Sequence, residues 1–304
     1  MNKLISDIIR EHNGPYSDNG VSVIRVSGID NKQFLQGQLT NDIDSLGNEQ
    51  YKLASYCTHQ GKVIVNMQLI ADGDDVIIIL PKNLSEYFIE KISKYILMSK
   101  VKFDIVSGAA VLSILGDEAL SINKKYNVIS SRHYKKIDDN NIVINMSTPL
   151  IPQSKCVLMN PGHQIEINCS EKDKPNTCLI DLFGLVTRLQ VESIEKYIPQ
   201  VLNADRLNTV SYKKGCYTGQ EVVARTHYLG NVKKHVYLVN INNSEIHDRN
   251  IINKDGESVG ELIGEYFFYN DVTLSHSILR DSCDFNKLFV GKDVIKVIPM
   301  EDIV

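Results

Sequence analysis

The sequence predicts an α+β protein that ends in a small antiparallel β-barrel. In the first hundred residues, strand-like segments alternate with amphipathic helical segments, which is the pattern of an α+β domain. After Gly230, short strand-like runs follow one another at regular intervals with turns between them, which is typical of a small barrel. We therefore expect two interleaved α+β domains within residues 1–230 and a β-barrel domain over residues 231–304.

The first hundred residues predict a unit of four strands and two helices. Residues 21–26 alternate apolar and polar side chains as a half-buried strand does, and apolar positions within 84–98 recur at helical spacing. The turn Asp72-Gly73-Asp74 predicts a hairpin, because glycine tolerates positive φ. In order, the predicted elements are a strand over 21–26, a helix over 30–39 capped by Asp30, strands over 62–71 and 76–80, a helix over 84–98 and a strand over 101–106. This β-α-β-β-α-β order resembles a ferredoxin-like unit.

The remaining segments predict a second α+β unit and the barrel. For the middle of the chain, we expect strands over 111–115 and 142–146, a short helix over 117–125, a charged break over 171–176 and a helical run near 180–190. For the barrel, we expect strands over 235–241, 259–269, 272–279 and 290–298, with turns at Asp255-Gly256 and Asn270-Asp271. The middle unit would then repeat the α+β character of the first one.

Composition indicates an ordinary folded protein. The 304 residues are 43% hydrophobic and 23% charged, which suffices for two or three domains with their own cores. No apolar run approaches the roughly 20 residues that span a bilayer, and the amino terminus lacks the pattern of a secretory signal. We expect a cytoplasmic location and no membrane partner.

The cysteines do not form a metal or disulfide framework. Six are scattered without any C-x-x-C pair, which argues against a zinc site and against a redox dithiol. Cys57 and His59 form half of a metal-binding pattern without a second half at suitable spacing, so we interpret them as structural. The six are Cys57, Cys156, Cys169, Cys178, Cys216 and Cys283.

One segment of the chain is locally basic. The formal net charge of −4 gives no reason to expect direct nucleic-acid binding by the protein as a whole. The segment from Arg206 to His235, however, contains six basic residues and a single acid, Glu221. They could bind an anion, such as the glutamate tail of a folate or RNA phosphate, or they could form a solvated surface. The six are Arg206, Lys213, Lys214, Arg225, Lys233 and Lys234.

Cys216 is the strongest candidate for a functional side chain. It lies in the run Lys213-Lys214-Gly215-Cys216-Tyr217-Thr218-Gly219-Gln220-Glu221. The two glycines could present the cysteine on a tight turn, and the two lysines would favour the thiolate over the thiol. The alternative is a buried, inert cysteine beside a solvated edge, which is the commonest fate of a free cysteine. The local residues do not decide between these interpretations.

The same motif carries a family resemblance. Together with residues 198–203 and 211–225, it resembles the signature of the YgfZ family, and residues 34–42 (Phe-Leu-Gln-Gly-Gln-Leu-Thr-Asn-Asp) resemble that family's first helix and following turn. Because the two motifs are as far apart as in the family, the resemblance covers essentially the whole chain.

The resemblance implies a relative of the glycine-cleavage aminomethyltransferase (T-protein) that maintains iron-sulfur enzymes. It implies the T-protein's three-domain ring, tetrahydrofolate as a cofactor, and iron-sulfur client enzymes as partners, including those that methylthiolate tRNA. Cys216 and Lys214 would be the functional pair. The thiolate would contact a sulfur or iron species on a client, or accept a one-carbon or sulfur adduct. The residues expected to line the folate site are Asn66, Gln190, Tyr217, Gln220, Glu221 and Arg225.

Two departures from the related families favour an accessory factor over an enzyme. Residues 61–67 contain no acid, although the T-protein carries its catalytic carboxylate there, and Asn66 cannot replace a general base. Gln190 stands where both families tend to have a glutamate that grips the pterin, so the charge-assisted contact is lost, and the chain contains no Trp on which a pterin could stack. A folate-dependent aminomethyltransferase and a non-catalytic folate- or RNA-binding module are the alternatives.

Overall fold

The computed structural model describes residues 3–47, 49–160, 178–242 and 245–299. The predicted charged break over 171–176 and Cys169 lie outside these residues. The helices are α1 (Lys3–Glu11), α2 (Asn31–Gln38), α3 (Lys82–Ser93), α4 (Gly116–Lys125), α5 (Leu179–Phe183), α6 (Ala204–Leu207) and α7 (Gln220–Leu229), with 3-10 turns at Val191–Ser193 and Pro199–Leu202.

The strands form two open sheets and a closed barrel. Those of the two sheets are β1 (Gly14–Ser17), β2 (Val21–Ser27), β3 (Lys52–Cys57), β4 (Val63–Asp72), β5 (Asp75–Pro81), β6 (Lys102–Ile105), β7 (Ala110–Leu115), β8 (Tyr134–Asp138), β9 (Asn141–Asn145) and β10 (Gln153–Leu158). Those of the barrel are β11 (Lys234–Ile241), β12 (Asn250–Asn253), β13 (Ser258–Tyr269), β14 (Val272–Arg280), β15 (Leu288–Val290) and β16 (Asp293–Val297).

The first sheet is ferredoxin-like with one additional strand. Its order is β3-β4-β5-β2-β6, and all pairs are antiparallel. The four strands β6-β2-β5-β4 correspond to the predicted unit, and the hairpin turn has Gly73 at φ +64° as expected. The additional strand β3 was not predicted, because every residue after Lys52 in it is buried and the strand therefore lacks the alternation of a half-buried strand.

Two predicted helices are shorter in the structure. Helix α3 ends at Ser93 rather than at residue 98, because its buried face ends at Ile92 and the chain then tightens into i→i+3 turns. Of the apolar residues that suggested a longer helix, Tyr95 is exposed and Ile96 is only partly buried, and Leu97 and Met98 beyond them are exposed. Helix α5 stops at Phe183, since Leu185 adopts a left-handed φ of +56°.

The second sheet takes its edge strand from the amino terminus. Its order is β1-β7-β10-β9-β8, with β1 beside β7, although β2 belongs to the first sheet. One apolar core lies between the two sheets and includes Ile5 and Ile8 of α1, Ile77 of the first sheet and Val157 of the second. The two α+β units are therefore joined both by the chain crossing and by a shared core.

The predicted carboxyl-terminal barrel is confirmed. Six strands close in the order β11-β14-β13-β12-β15-β16 around a separate apolar core. The segment predicted as one strand over 290–298 is divided, because Gly291 at φ +58° turns the chain between β15 and β16. Among the described helices, none is both long and apolar enough to cross a membrane.

Candidate functional site

The two family-like motifs, which are far apart in the sequence, pack against each other. The Thr40 side chain donates a hydrogen bond to the carbonyl of Thr209 (2.6 Å), and the Ser211 amide donates to the carbonyl of Thr40 (3.0 Å). Further along, the Thr218 amide donates to the carbonyl of Gly37 (3.3 Å). The loop that carries Cys216 is thus held along the end of α2 and the turn after it.

Lys214 fastens this loop to the carboxyl end of α2. Its Nζ donates to the carbonyl oxygens of Gln36 (2.7 Å), Leu39 (2.8 Å) and Asn41 (2.8 Å). An ammonium group has three protons, so these three acceptors use all of its donors. They include carbonyls that a helix end leaves without intrahelical partners, where a cation is also favoured by the helix dipole.

This geometry changes the role expected for Lys214. Burial lowers the pKa of Lys214 to about 8, against the opposing effect of Asp42 and Asp44, so the group still carries its proton at neutral pH. Because its three donors are occupied by backbone carbonyls, Lys214 has none left for the Cys216 sulfur, and its contacts hold the loop in place. The exposed Lys213 is the remaining cation beside Cys216 in the sequence.

Gly219 starts α7 and fixes the other side of the loop. Its φ is +84°, and a Cβ there would lie 2.4 Å from the carbonyl oxygen of Thr58 and 3.0 Å from Gly61. Only glycine combines this φ with this close approach. The expectation that Gly215 uses the conformational freedom of glycine as Gly219 does was wrong. Its φ is not positive, and a Cβ there would meet no atom within 4 Å.

Cys216 lies on the surface between these two anchors. It is exposed, whereas Cys57, Cys156 and Cys178 are buried and Cys283 is partly buried. The interpretation of Cys216 as a buried, inert residue is therefore wrong. Cys57 is buried while His59 is exposed, and within the described ranges no group of three or more His, Cys, Asp or Glu could hold a metal ion.

Four predicted folate-site residues lie in or beside the loop that carries Cys216 (residues 209–219), the cysteine loop. Tyr217 is buried, with the Lys214 ammonium 5.2 Å from the centre of its ring, and burial raises the pKa of its hydroxyl. The Gln220 side chain donates to the carbonyl of Gly215 (3.3 Å), which braces the loop from α7. Glu221 and Arg225 are exposed on α7.

A group that the residue pattern did not indicate lies beside the motif. The rings of Tyr212 and His227 are stacked with centroids 3.7 Å apart. Asp205 accepts a hydrogen bond from the Tyr212 hydroxyl (2.6 Å), and its Oδ1 lies 3.1 Å from His227 Nδ1. The Gln200 side-chain amide joins the group by donating hydrogen bonds to the Tyr212 hydroxyl (3.2 Å) and to the carbonyl of Val223 (2.8 Å). Spacing along the chain gives no signal for this arrangement, which fixes α7 to the segment before the loop.

The other two predicted folate residues are engaged by the protein itself. Asn66 accepts a hydrogen bond from Ser55 Oγ (2.7 Å) and donates to the carbonyl of Thr187 (3.4 Å). Gln190 accepts from Asn83 Nδ2 (2.7 Å) and donates to Glu265. Both side chains are therefore satisfied without a ligand.

A buried ionic network lies next to Asn66. The Arg188 guanidinium forms ion pairs with Asp18 (Nη1 to Oδ1, 3.0 Å), Asp181 (Nε to Oδ2, 2.5 Å) and Glu265 (3.4 Å). The Lys155 ammonium lies 2.9 Å from the same Asp181 carboxylate. Burial alone would lower the pKa of Arg188, but Asp181 and Asp18 raise it well above its usual value. The cavity between this network and Asn66 measures about 20 Å³, enough for one water but not for a pterin ring. As placed, Asn66 does not face a space that could hold a pterin ring.

The comparisons with known proteins agree with the motifs. The chain is 26% identical over 283 residues to the tRNA-modifying protein YgfZ of Yersinia pestis (strain Pestoides F), covering 90% of this chain and 83% of that protein. It is 28% identical over 229 residues to the protein of the same name in Hamiltonella defensa, covering 72% and 67%. The chain is similar to the YgfZ proteins over most of its length. A scan against models of protein families gives no match.

Among solved structures, the fold is shared with the T-protein. The glycine cleavage system aminomethyltransferase T from Bartonella henselae superposes with a TM-score of 0.72, covering 98% of this chain and 89% of that one, at 11% sequence identity. This likeness confirms the predicted T-protein architecture. At such low identity it carries the fold alone, whereas the likeness to YgfZ extends over most of the sequence.

Proposed function

We propose that the chain is a YgfZ-like accessory protein that supports the assembly or repair of iron-sulfur enzymes through Cys216. Enzymes that methylthiolate tRNA would be among its clients. The relatives' name, tRNA-modifying protein, supports the link to tRNA, and the iron-sulfur role follows from the resemblance of the motifs.

The exposure of Cys216 on an anchored loop carries the proposal. A cysteine retained for packing gains stability from burial, as the buried Cys57 and Cys178 do. Cys216 gains nothing of this kind, yet Lys214 on one side and Gly219 on the other fix the loop around it. An ordered loop with an accessible thiol is suited to contact with another molecule.

In this proposal Lys214 is a positioning residue. The ammonium ties the loop to α2, so the thiol is presented in one place instead of on a flexible segment. A client protein would then meet a preorganised surface, which reduces the ordering cost of the encounter.

The aminomethyltransferase alternative gains no support from the site. Asn66, at the position where the T-protein carboxylate is expected, is an amide whose oxygen already accepts from Ser55. An amide cannot take up a proton as a general base. No chemical step is therefore assigned to folate or to Asn66, and folate binding stays a prediction from the resemblance.

The test is tRNA methylthiolation in cells that lack their own YgfZ-type protein. We expect the intact chain and Cys283→Ala to restore the modification and Cys216→Ala to fail, at equal protein levels. Cys283 is the matched control because it is a partly buried cysteine on the barrel. Restoration by Cys216→Ala would show that the thiol is dispensable and would overturn the proposal.

A second measurement separates loss of function from loss of fold. The melting temperature of Cys216→Ala should match that of the intact protein, because the exposed side chain contributes little to packing. If the intact chain itself fails to restore methylthiolation, the assignment of these clients is wrong.

A further inference from the structure

A basic groove lies between the first α+β unit and the barrel, and Cys216 is not part of its lining. It has a volume of about 550 Å³ and is bounded on one side by residues 196–201 and on the other by the strands β12, β13 and β14. A space of this size is typical of sites for small molecules. None of the cysteine-loop residues lines it.

The charge of the groove is strongly one-sided. Five cationic side chains line it, against a single acid, Glu261. Among the described residues, no ion pair joins Lys196, Lys234 or Arg280 to a carboxylate, and all three are exposed. Cations gathered in a concave site without acidic partners raise the local concentration of anions. The five are Lys62, Lys196, Lys234, Arg249 and Arg280.

The rest of the lining is largely apolar. Five side chains, Tyr197, Ile198, Val201, Val259 and Ile278, contribute to it. A free inorganic anion would leave this surface in contact with water, whereas a ligand with a flat organic part could cover it. The lining therefore favours an organic anion.

The charge pattern also limits the length of the ligand. Beyond Val259 and Arg280 the groove meets a smaller cavity of about 230 Å³, which is lined by the acids Asp255, Glu257 and Asp284 and by the cations Lys254, Lys287 and Arg280. These opposite charges offset one another, so the excess of cations ends with the groove. A compact ligand keeps all of its phosphates within that excess.

We propose that this groove binds a small organic phosphate of nucleotide size. Its phosphates would be held by the cations, with the exposed Arg280 able to offer paired N–H donors, and its flat part would lie on the apolar lining. Because the groove is formed by both the first unit and the barrel, the ligand would contact both.

The experiment uses the intact chain and ADP carrying a fluorescent N-methylanthraniloyl group, displaced by unlabelled competitors. We expect saturable binding that unlabelled ADP displaces and that weakens with added salt. Arg280→Gln should weaken binding by roughly tenfold or more, since it removes a charge-assisted contact. Lys292→Gln, a change of the same charge on the exposed β15–β16 turn, should not alter it.

Competitors identify the ligand chemistry. Pyrophosphate should displace the probe less well than ADP; equal displacement would overturn the role of the apolar lining. Equal displacement by a tetraglutamate peptide would overturn the phosphate assignment. A single-stranded RNA of ten nucleotides that bound a hundredfold tighter than ADP would overturn the compact ligand, and equal binding to Arg280→Gln would overturn the site.

Discussion

Replacing Lys214 with methionine should loosen the cysteine loop without disturbing the core around it. Methionine keeps most of the length and apolar character of the lysine stem but has no N–H donors. The carbonyls of Gln36, Leu39 and Asn41 would each lose a hydrogen bond of 2.7–2.8 Å from the ammonium. The contact between the loop and the end of α2 would then rest on hydrogen bonds between uncharged groups, such as those of Thr40, Ser211 and Thr218.

The size of the effect follows from the burial of the site. A hydrogen bond from a charged donor contributes about 1.5–3 kcal/mol, so three independent bonds would exceed 4 kcal/mol. Lys214 is only partly buried, and water can replace part of what is lost. We therefore expect the loop to lose about 2 kcal/mol against local opening, which is roughly a 30-fold increase in the open population.

Hydrogen exchange measured by mass spectrometry tests this expectation. Peptides covering residues 209–219 should exchange roughly 30-fold faster in Lys214→Met, while those of β11 and β14 stay unchanged. Lys213→Met is the control, because its exposed side chain precedes Lys214 directly. If the two variants exchanged alike in this segment, the positioning role of Lys214 would be refuted.

Three further predictions concern stability. In urea unfolding, Gly219→Ala should lower the free energy of unfolding by about 1–3 kcal/mol because of its φ of +84°, and by more because of the contact with Thr58. Gly215→Ala, where the new methyl group faces open space, should leave the free energy of unfolding nearly unchanged. Asp181→Asn should lower the free energy of unfolding by about 3–5 kcal/mol, because Lys155 and Arg188 stay buried with less counter-charge. The exposed Asp139→Asn should lower it by less than about 0.5 kcal/mol. Equal losses in the two variants would contradict the importance of the network. Burial lowers the pKa of His276 to about 4, below its unfolded value near 6.5, so the unfolded state takes up the proton first. The free energy of unfolding should therefore fall by about 3 kcal/mol between pH 6.5 and pH 4, and His276→Gln should flatten this slope even though it lowers stability at pH 7.

The fold was predictable wherever one face of an element meets the core and the other meets solvent. The strand β2 alternates along its length and was correctly located, whereas β3 is buried on both faces and carries no alternation. The end of α3 was misplaced because Tyr95 and Ile96 continue the apolar spacing beyond the point where the core covers the helix. Periodicity reports the character of a side chain and not whether the core extends far enough to cover it.

The candidate site was predictable in position but not in its contacts. The motif around Cys216 indicated the correct loop, since glycines and lysines beside a cysteine are informative locally. That Lys214 would reach back to carbonyls near residue 40 depends on how the chain folds over a long distance, and no local pattern contains it. The same holds for Asp205 and His227, which only the packing of α7 brings together.

The bonds that hold the cysteine loop also set when it can form during folding. Lys214 and its acceptors are 173–178 positions apart in the sequence, and closing so long a loop is slow compared with forming local hairpins. The side chain of Asn203 additionally donates to the carbonyl of Val236 in β11, so the segment before the loop depends on the barrel, which is synthesised later. A chain emerging from the ribosome would therefore carry Cys216 on a segment that is not fully fixed until the barrel has formed, and an ordered thiol would show that the two parts had folded together.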